Sequence, residues 1–268
     1  MTQTHPPDAI DRDRLVETLL ELLAFDTQNP PGETVTIVDY LEDQLQAAWL
    51  KTQRLICADQ KPNLVAWFPG EPAPDLVLQG HLDTVPFDRE GWSTDPLGER
   101  DGATIYGRGA TDMKGALAGM LEVARVYAEP EPTPATPLGF ALVSDEEVAD
   151  DNAAVAALDR FDERPSACVI GEQTGTPERP SVAAADRGNV WLRLEATGTA
   201  AHGSRPPAGD NAIDRLYDTI DRLREELRGV EFYLPAEVEE LLPDTAAYYA
   251  PAMGKEMARE LFHRPTIN

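Results

Sequence analysis

Short apolar runs alternate along this chain with stretches of helical periodicity, and that alternation constrains the fold more than any other feature. Leu76–Gln79, Leu138–Val143 and Ala167–Ile170 are too short for helices and almost wholly apolar, as expected of strands covered on both faces. Gln53–Cys57 and Asn63–Phe68 read as two more strands. The first helix is expected between Asp8 and Phe25, with Ile10, Leu15, Leu19, Leu22 and Leu23 at helical spacing, and Asn29-Pro30-Pro31-Gly32 breaks it. Others are expected at about Glu33–Trp49, Lys114–Tyr127 and Asp151–Phe161. Helices and buried strands in alternation imply an α/β sheet with both faces covered. Residues 86–108 read as one long loop, a length usually kept for function. The prolines of residues 129–137 make that segment a surface loop.

The pattern changes after Pro180. Asn189–Ala196 alternates, with Val190, Leu192 and Leu194 on one face, as in a half-exposed strand, and Asp210–Leu227 is an amphipathic helix. Two domains are expected, residues 1–181 and a smaller α+β unit, residues 182–268. The latter ends in acidic and aromatic helical pieces.

The formal net charge is -25, and the lysines are only Lys51, Lys61, Lys114 and Lys255. Nucleic acid is excluded as a partner, because phosphate contacts need basic side chains, and an anionic membrane surface is excluded for the same reason. Such an excess of Asp and Glu resembles proteins of salt-loving organisms. In about 1 M salt the Debye length falls to about 3 Å, which screens the self-repulsion; at low salt the same charge opposes compaction. Cys57 and Cys168 sit in apolar, strand-like contexts and read as small core residues rather than a disulfide. No signal peptide or membrane-length apolar run is found, so a cytoplasmic location is expected.

Chemistry-bearing residues follow the strand ends. Gly80-His81-Leu82-Asp83 closes the 76–79 run, with Asp83 near enough to orient the imidazole. Asp112 precedes the helix at Lys114, Asp145-Glu146-Glu147 follows the 138–143 run, and Glu172 follows the 167–170 run. Open α/β sheets gather their ligands at such ends. Each piece has an ordinary alternative: Asp112 as a helix N-cap, the acidic run as a solvated turn, Glu172 as a turn residue. Brought together, these carboxylates need a cation, since like charges at short range otherwise force protons onto one another. Nitrogen and oxygen donors without thiolate suit zinc, cobalt or manganese. Asp112 can bridge two ions about 3.5–4 Å apart. One of the paired glutamates can bind metal while its neighbour acts as a general base.

Five segments in order, GHLDTVP (80–86), GRGATDMKG (107–115), VSDEEV (143–148), GEQTG (171–175) and AHGSRPPAGDNAI (201–213), resemble one family's signature blocks. That family comprises the co-catalytic zinc hydrolases related to acetylornithine deacetylase, succinyl-diaminopimelate desuccinylase, aminoacylase and glutamate carboxypeptidase. The resemblance covers residues from about 10 to 228. It implies a zinc-exopeptidase-like mixed sheet plus a lid or dimerisation domain, and two divalent ions, zinc foremost. It makes His81 and Glu172 ligands of one metal, Asp112 the bridge, followed by a cis peptide, and Glu147 a ligand of the second metal. Asp83 becomes the partner of His81, Glu146 the general base, and His202 the group that polarises the substrate carbonyl, from the other subunit of a homodimer. The implied reaction is amide hydrolysis of N-acyl amino acids or small peptides by metal-activated hydroxide.

In the family, the catalytic domain resumes after the lid and brings a last His ligand and a substrate-binding Arg region. Neither has a counterpart here, and His5 and His263 match no ligand motif. The second metal site is therefore expected to lack its terminal His, and the catalytic sheet its last strands. The chain is expected to be a fragment. The alternative is a truncated, non-catalytic paralogue that binds one metal or pairs with a full-length subunit.

Overall fold

A computed structural model of the chain describes residues 9–70, 73–129, 136–148, 153–161, 164–175, 181–183, 188, 190 and 192–266. Two compact units divide it, Met1–Pro177 and Glu178–Asn268.

The first unit opens with α1 (Arg12–Leu23), whose start is set by Asp11 accepting a hydrogen bond from the Arg14 N–H. Then come α2 (Val35–Ala47), β1 (Lys51–Ala58), β2 (Lys61–Trp67), β3 (Leu76–His81), β4 (Glu99–Asp101), β5 (Thr104–Tyr106), α3 (Lys114–Ala128), β6 (Leu138–Val143), α4 (Ala153–Leu158) and β7 (Ala167–Ile170). Five strands form one mixed sheet in the order β1-β2-β6-β3-β7. β1 pairs antiparallel with β2, and β2 with β6, while β3 runs parallel to both β6 and β7. The mixed α/β fold is thus the one the alternating pattern and the family resemblance imply.

Strand alternation sorts the core into two layers. Leu64, Ala66, Phe140 and Leu142 join α1, α2 and α3 residues such as Leu22, Ile37, Leu41, Leu117 and Leu121 on one face. Val65, Val77, Ala141 and Val143 meet Ala157 and Phe161 on the other. β6 is buried along its whole length, which explains its lack of polar residues.

One buried ion pair ties α1 to α3. Glu122 is 1% exposed and takes the Arg14 fork at 2.8 and 2.6 Å, and the Asp11 N–H at 2.8 Å. Burial opposes its charge, but these donors outweigh burial and hold the carboxyl below its usual range.

Several expectations need correction. Residues 86–108 are not loop throughout, since β4 and β5 form a hairpin across the Asp101-Gly102 turn. The second helix ends at Ala47, and Trp49 lies beyond it, exposed and at φ 65°. Cys168 is a free, exposed thiol; β7 belongs to the sheet but is exposed along its length, so strand membership does not bury it. Nothing is described of the Cys57 side chain, and residues 130–135 of the proline-rich segment lie outside the described residues.

In the second unit, α5 (Ala212–Arg228) is capped by Asn211, which accepts from the Ile213 N–H at 3.0 Å. Short helices α6 (Ala236–Glu239), α7 (Leu242–Met253) and α8 (Lys255–Glu260) follow, with Ala246 and Ala258 buried. The expected strand at 189–196 is not found among the described residues. Val190, Leu192 and Leu194 are exposed, and the only pairing nearby is an isolated bridge from Thr199 to Asp210. Alternation sets which residues share a face, but a strand also needs a partner for its N–H and C=O groups. Among the described residues no helix is long and apolar enough to cross a membrane.

Replacing Glu122 by Gln is expected to cost about 1–2 kcal/mol at neutral pH, since a charge-assisted pair becomes a neutral one. A carboxylate with a depressed folded pKa stabilises fully above its unfolded value and loses that contribution as pH falls through the folded one. The gap between wild type and Glu122→Gln should therefore close on acidification, as urea unfolding across pH will show.

Candidate metal centre

Parallel pairing aligns the carboxyl ends of β3, β6 and β7. His81 lies opposite Val143, the Leu82 N–H donates to the Val143 carbonyl at 2.8 Å, and the Gly171 N–H donates to the Gln79 carbonyl at 3.0 Å. One rim of the sheet therefore carries His81, the Ser144–Glu147 turn and Glu172. Asp112 arrives from the start of α3, and the Asp112–Met113 peptide is cis, as the resemblance implies. Close packing is needed here. A Cβ on Gly80 would stand 2.7 Å from Met113 Cε and 3.0 Å from Leu117 Cδ2.

His81 is 1% exposed. Its Nδ1 is 2.9 Å from the Asp83 carbonyl and 3.4 Å from the Asp83 Oδ1. A carbonyl can only accept, so Nδ1 carries the proton and Nε2 is left facing the rim. There Nε2 lies 2.9 Å from Asp112 Oδ1 and 3.1 Å from Glu172 Oε1. Metal-binding histidines are held in this way, with the far ring nitrogen donating to a carbonyl or carboxylate.

The Asp83 carboxylate, fully buried, does more than face the imidazole. It accepts from the Glu146 N–H at 3.1 and 3.2 Å, the Glu147 N–H at 3.1 Å and the Asn29 side-chain amide at 2.7 Å. Burial opposes its charge, but hydrogen bonds from His81, Asn29 and the two backbone N–H groups lower its pKa on balance. One carboxylate thus holds both the imidazole and the Glu146-Glu147 turn. Glu147 Oε1 also accepts the Val85 N–H at 3.1 Å.

Two groups of ligand atoms lie within 4.8 Å of one another: His81, Glu146 and Glu172, and His81, Asp112 and Glu147. The donor set is imidazole and carboxylate throughout, which fits a divalent ion of the zinc, cobalt or manganese kind. The electrostatics fit too. Burial raises the pKa of Glu146, and the charges of Glu172, Asp83 and Asp112 raise it further against the pull of His81. Burial and Asp112 raise Glu147. Burial disfavours charge on His81, yet Asp83 and Glu172 outweigh it and push the imidazole up to about 11. With no cation between them, these groups must gather protons instead.

His81, Asp83, Asp112, Glu146, Glu147 and Glu172 are thus brought to one rim. His202 belongs to the second unit, where its Nδ1 lies 2.9 Å from Ser204 Oγ. Three further residues at the rim carry no signal a motif reveals. Asn29 reads in sequence as part of a proline-rich helix breaker, Lys61 as one of four lysines, lying between two strands, and Asp145 as one acid in a run. Helical or strand periodicity says nothing of buried polar contacts between distant segments.

Fold and site together define an α/β protein with a carboxylate–imidazole cluster of metal-binding type. The chain belongs to peptidase family M20/M25/M40, whose pattern matches residues 77–258. A probable succinyl-diaminopimelate desuccinylase of Staphylococcus aureus is 27% identical over 248 residues, covering 91% of this chain and 59% of that protein. A probable carboxypeptidase of Talaromyces marneffei is 28% identical over 245 residues, covering 83% of this chain and 53% of that one. The crystal structure of an M20 family metallo-carboxypeptidase from Sulfolobus solfataricus shares the fold. Its TM-score is 0.72 and its identity 18%, over 97% of this chain and 65% of that one. This chain spans 59% and 53% of the lengths of those two curated relatives.

Removing the Asp83 carboxylate takes one acceptor from the buried Asn29 amide, which keeps Asp145, and the acceptor of the part-buried Glu146 and Glu147 N–H groups. Asp83→Ala is expected to destabilise the metal-free protein by about 1–3 kcal/mol, the range for a buried polar group that loses its partner. Urea denaturation measures it; a loss under about 1 kcal/mol would contradict the anchoring role.

Proposed function

We propose that this chain carries the catalytic centre of a metal-dependent hydrolase that cleaves the amide bond of an N-acyl amino acid or small peptide. The observation that carries the reading is His81 Nε2 held 2.9 Å from Asp112 and 3.1 Å from Glu172, with Glu146 and Glu147 at the same rim. The substrate class is supported by the names of the desuccinylase and carboxypeptidase relatives.

In this reading His81, Asp112 and Glu172 would hold one divalent ion, zinc foremost, and Asp112 and Glu147 would serve a second. Such ions act as Lewis acids toward water and a carbonyl oxygen. Glu146 is the general base. Its raised pKa brings it nearer the pH at which a carboxylate can take a proton and return it. It accepts a proton from the attacking water, whose oxygen bonds to the carbonyl carbon, and delivers that proton to the amine nitrogen as the C–N bond breaks. Asp83 fixes the imidazole and the Glu146 backbone, so the base and the ligands keep their spacing. His202 is assigned the polarising of the substrate carbonyl, from a second copy in a homodimer, on the strength of the 201–213 motif.

One observation favours a second reading, a single-metal protein that pairs with a longer subunit. Both ligand groups draw on His81, so among the described residues its one free ring nitrogen serves one ion only.

Zinc titration of the 268-residue protein separates the two. Two ions per chain with hydrolysis of acyl-amino acids support the first reading, one ion without turnover the second, and no uptake refutes both. Glu146→Gln is expected to lower kcat by about 10²–10⁴-fold, the range for loss of a general base, with metal content retained. His202→Ala should lower kcat with metal content unchanged; unaltered kcat would remove it from the machinery.

A further inference from the structure

Behind the His81 cluster lies a buried polar layer in which Asn29, Lys61 and Asp145 have no part in the chemistry just described. Asn29 is 1% exposed and lies between two carboxylates. Its side-chain N–H₂ donates to Asp83 Oδ2 at 2.7 Å and to Asp145 Oδ1 at 2.6 Å. Its Oδ1 accepts from Lys61 Nζ at 3.3 Å, and the same ammonium pairs with Asp145 Oδ2 at 2.9 Å. The side chains of Asp83 and Asp145 are 0% and 7% exposed, that of Lys61 15%. The amide can face only one way. Turned over, its oxygen would meet two carboxylates and its N–H₂ an ammonium, so Lys61 and the two acids together set its orientation.

Positive charge is thereby relayed. Lys61 touches Asp145 and the Asn29 oxygen, but no contact joins it directly to Asp83. Withdrawing electron density from the amide oxygen strengthens donation from the amide nitrogen, the cooperative behaviour expected of hydrogen bonds in series in a low-dielectric interior. Asp83 is the receiver, and it in turn holds His81 and the Glu146 and Glu147 N–H groups.

The local backbone keeps room for this arrangement. The Asn29 N–H donates to the Thr84 carbonyl at 2.7 Å, fixing it beside the chain that leaves His81. Gly32 has φ +76°, and a Cβ there would lie 2.8 Å from Asn29 Cγ, Asn29 Oδ1 and Lys61 Cε. Any side chain at 32 would collide with both members of the relay. Ser144, next to Asp145, is tied in separately: its hydroxyl meets Thr34 Oγ1 at 2.7 Å and its N–H the Asn63 side-chain oxygen at 3.0 Å.

We propose that Asn29, oriented and polarised by Lys61, is a positioning residue. It holds Asp83 so that His81 and the Glu146-Glu147 turn present their donor atoms together to a divalent cation. This inference rests on the metal-binding reading above. Asn29→Asp keeps the shape, replaces the donor and sets three carboxylates side by side. Asn29→Ala removes the side-chain donor to Asp83 Oδ2, which keeps only the Glu146 and Glu147 N–H groups, and the donor to Asp145 Oδ1. Lys61→Met keeps most of the stem and removes the ammonium, with its charge and its contacts to Asn29 Oδ1 and Asp145.

The test is cobalt(II) titration of the 268-residue protein and these variants. Affinity is read by competition with a chromophoric chelator, coordination by the visible cobalt absorption, and stability by melting the metal-free protein. Both Asn29 variants are expected to weaken cobalt binding by about 10–100-fold, the usual effect of removing a group that orients metal ligands. Lys61→Met should act in the same direction but less. Losses in the Asn29→Ala/Lys61→Met double variant should be less than additive, because both act through one amide. A packing role alone would lower the melting temperature and leave affinity and spectrum at wild-type values; that result overturns the proposal. Should neither Asn29 variant fold, Lys61→Met decides: weakened binding upholds the relay, and wild-type binding overturns it. Cobalt uptake by the wild type that the variants match defeats this inference alone, whereas no uptake by the wild type defeats the metal-binding reading and this inference with it.

Discussion

Parallel pairing of β3 with β6 on one side and β7 on the other is the constraint on which the site depends. Three strands running the same way end at the same rim, so residues 81, 144–147 and 172 become neighbours although up to 91 positions separate them. The antiparallel pairing of β2 with β6 has the opposite geometric effect. It brings the start of β2, with Lys61 and Asn63, beside the end of β6. The rim therefore receives His81, the Glu146-Glu147 turn and Glu172 from the parallel half of the sheet, and Lys61 and Asn63 from the antiparallel half.

Charge is the second constraint. The rim holds Asp83, Asp112, Glu146, Glu147 and Glu172 around one imidazole, in a chain of net charge -25. Backbone N–H groups and the Asn29 amide satisfy Asp83, so it stays ionised at the back of the site. Glu146 and Glu147 have no comparable set of donors, and their pKa values rise. The front of the cluster thus sets several carboxylates around one imidazole, while Lys61 offsets acid charge at the back. That asymmetry is the electrostatic form of a cation site, and Lys61 contributes to it from behind.

Much of the first unit was legible in the sequence because burial on both faces leaves a plain mark. β6 is apolar at every position, and the apolar run Leu138–Val143 coincides with its observed limits. α3 was found within one residue of its end. The hairpin at 99–106 was missed because its strands are three residues each and exposed, too short and too polar to show a period. Cys168 went wrong because an edge strand can be apolar without being covered. In the second unit, alternation at 189–196 supplies a face, but no pairing partner is found among the described residues.

The types of the rim residues and their order along the chain are properties of the sequence: His81, Asp112, Glu146, Glu147 and Glu172 each follow an apolar run or precede a helix, and hydrophobic periodicity marks those boundaries without reference to the rest of the molecule. The imidazole tautomer, the anchoring of the Glu146-Glu147 turn by Asp83, and the part played by Asn29 and Lys61 belong to the folded chain. Each depends on hydrogen bonds between segments 32 to 116 positions apart, or on which atom of a side chain faces another. Such contacts are set by strand direction and register, and no local pattern of residues records them.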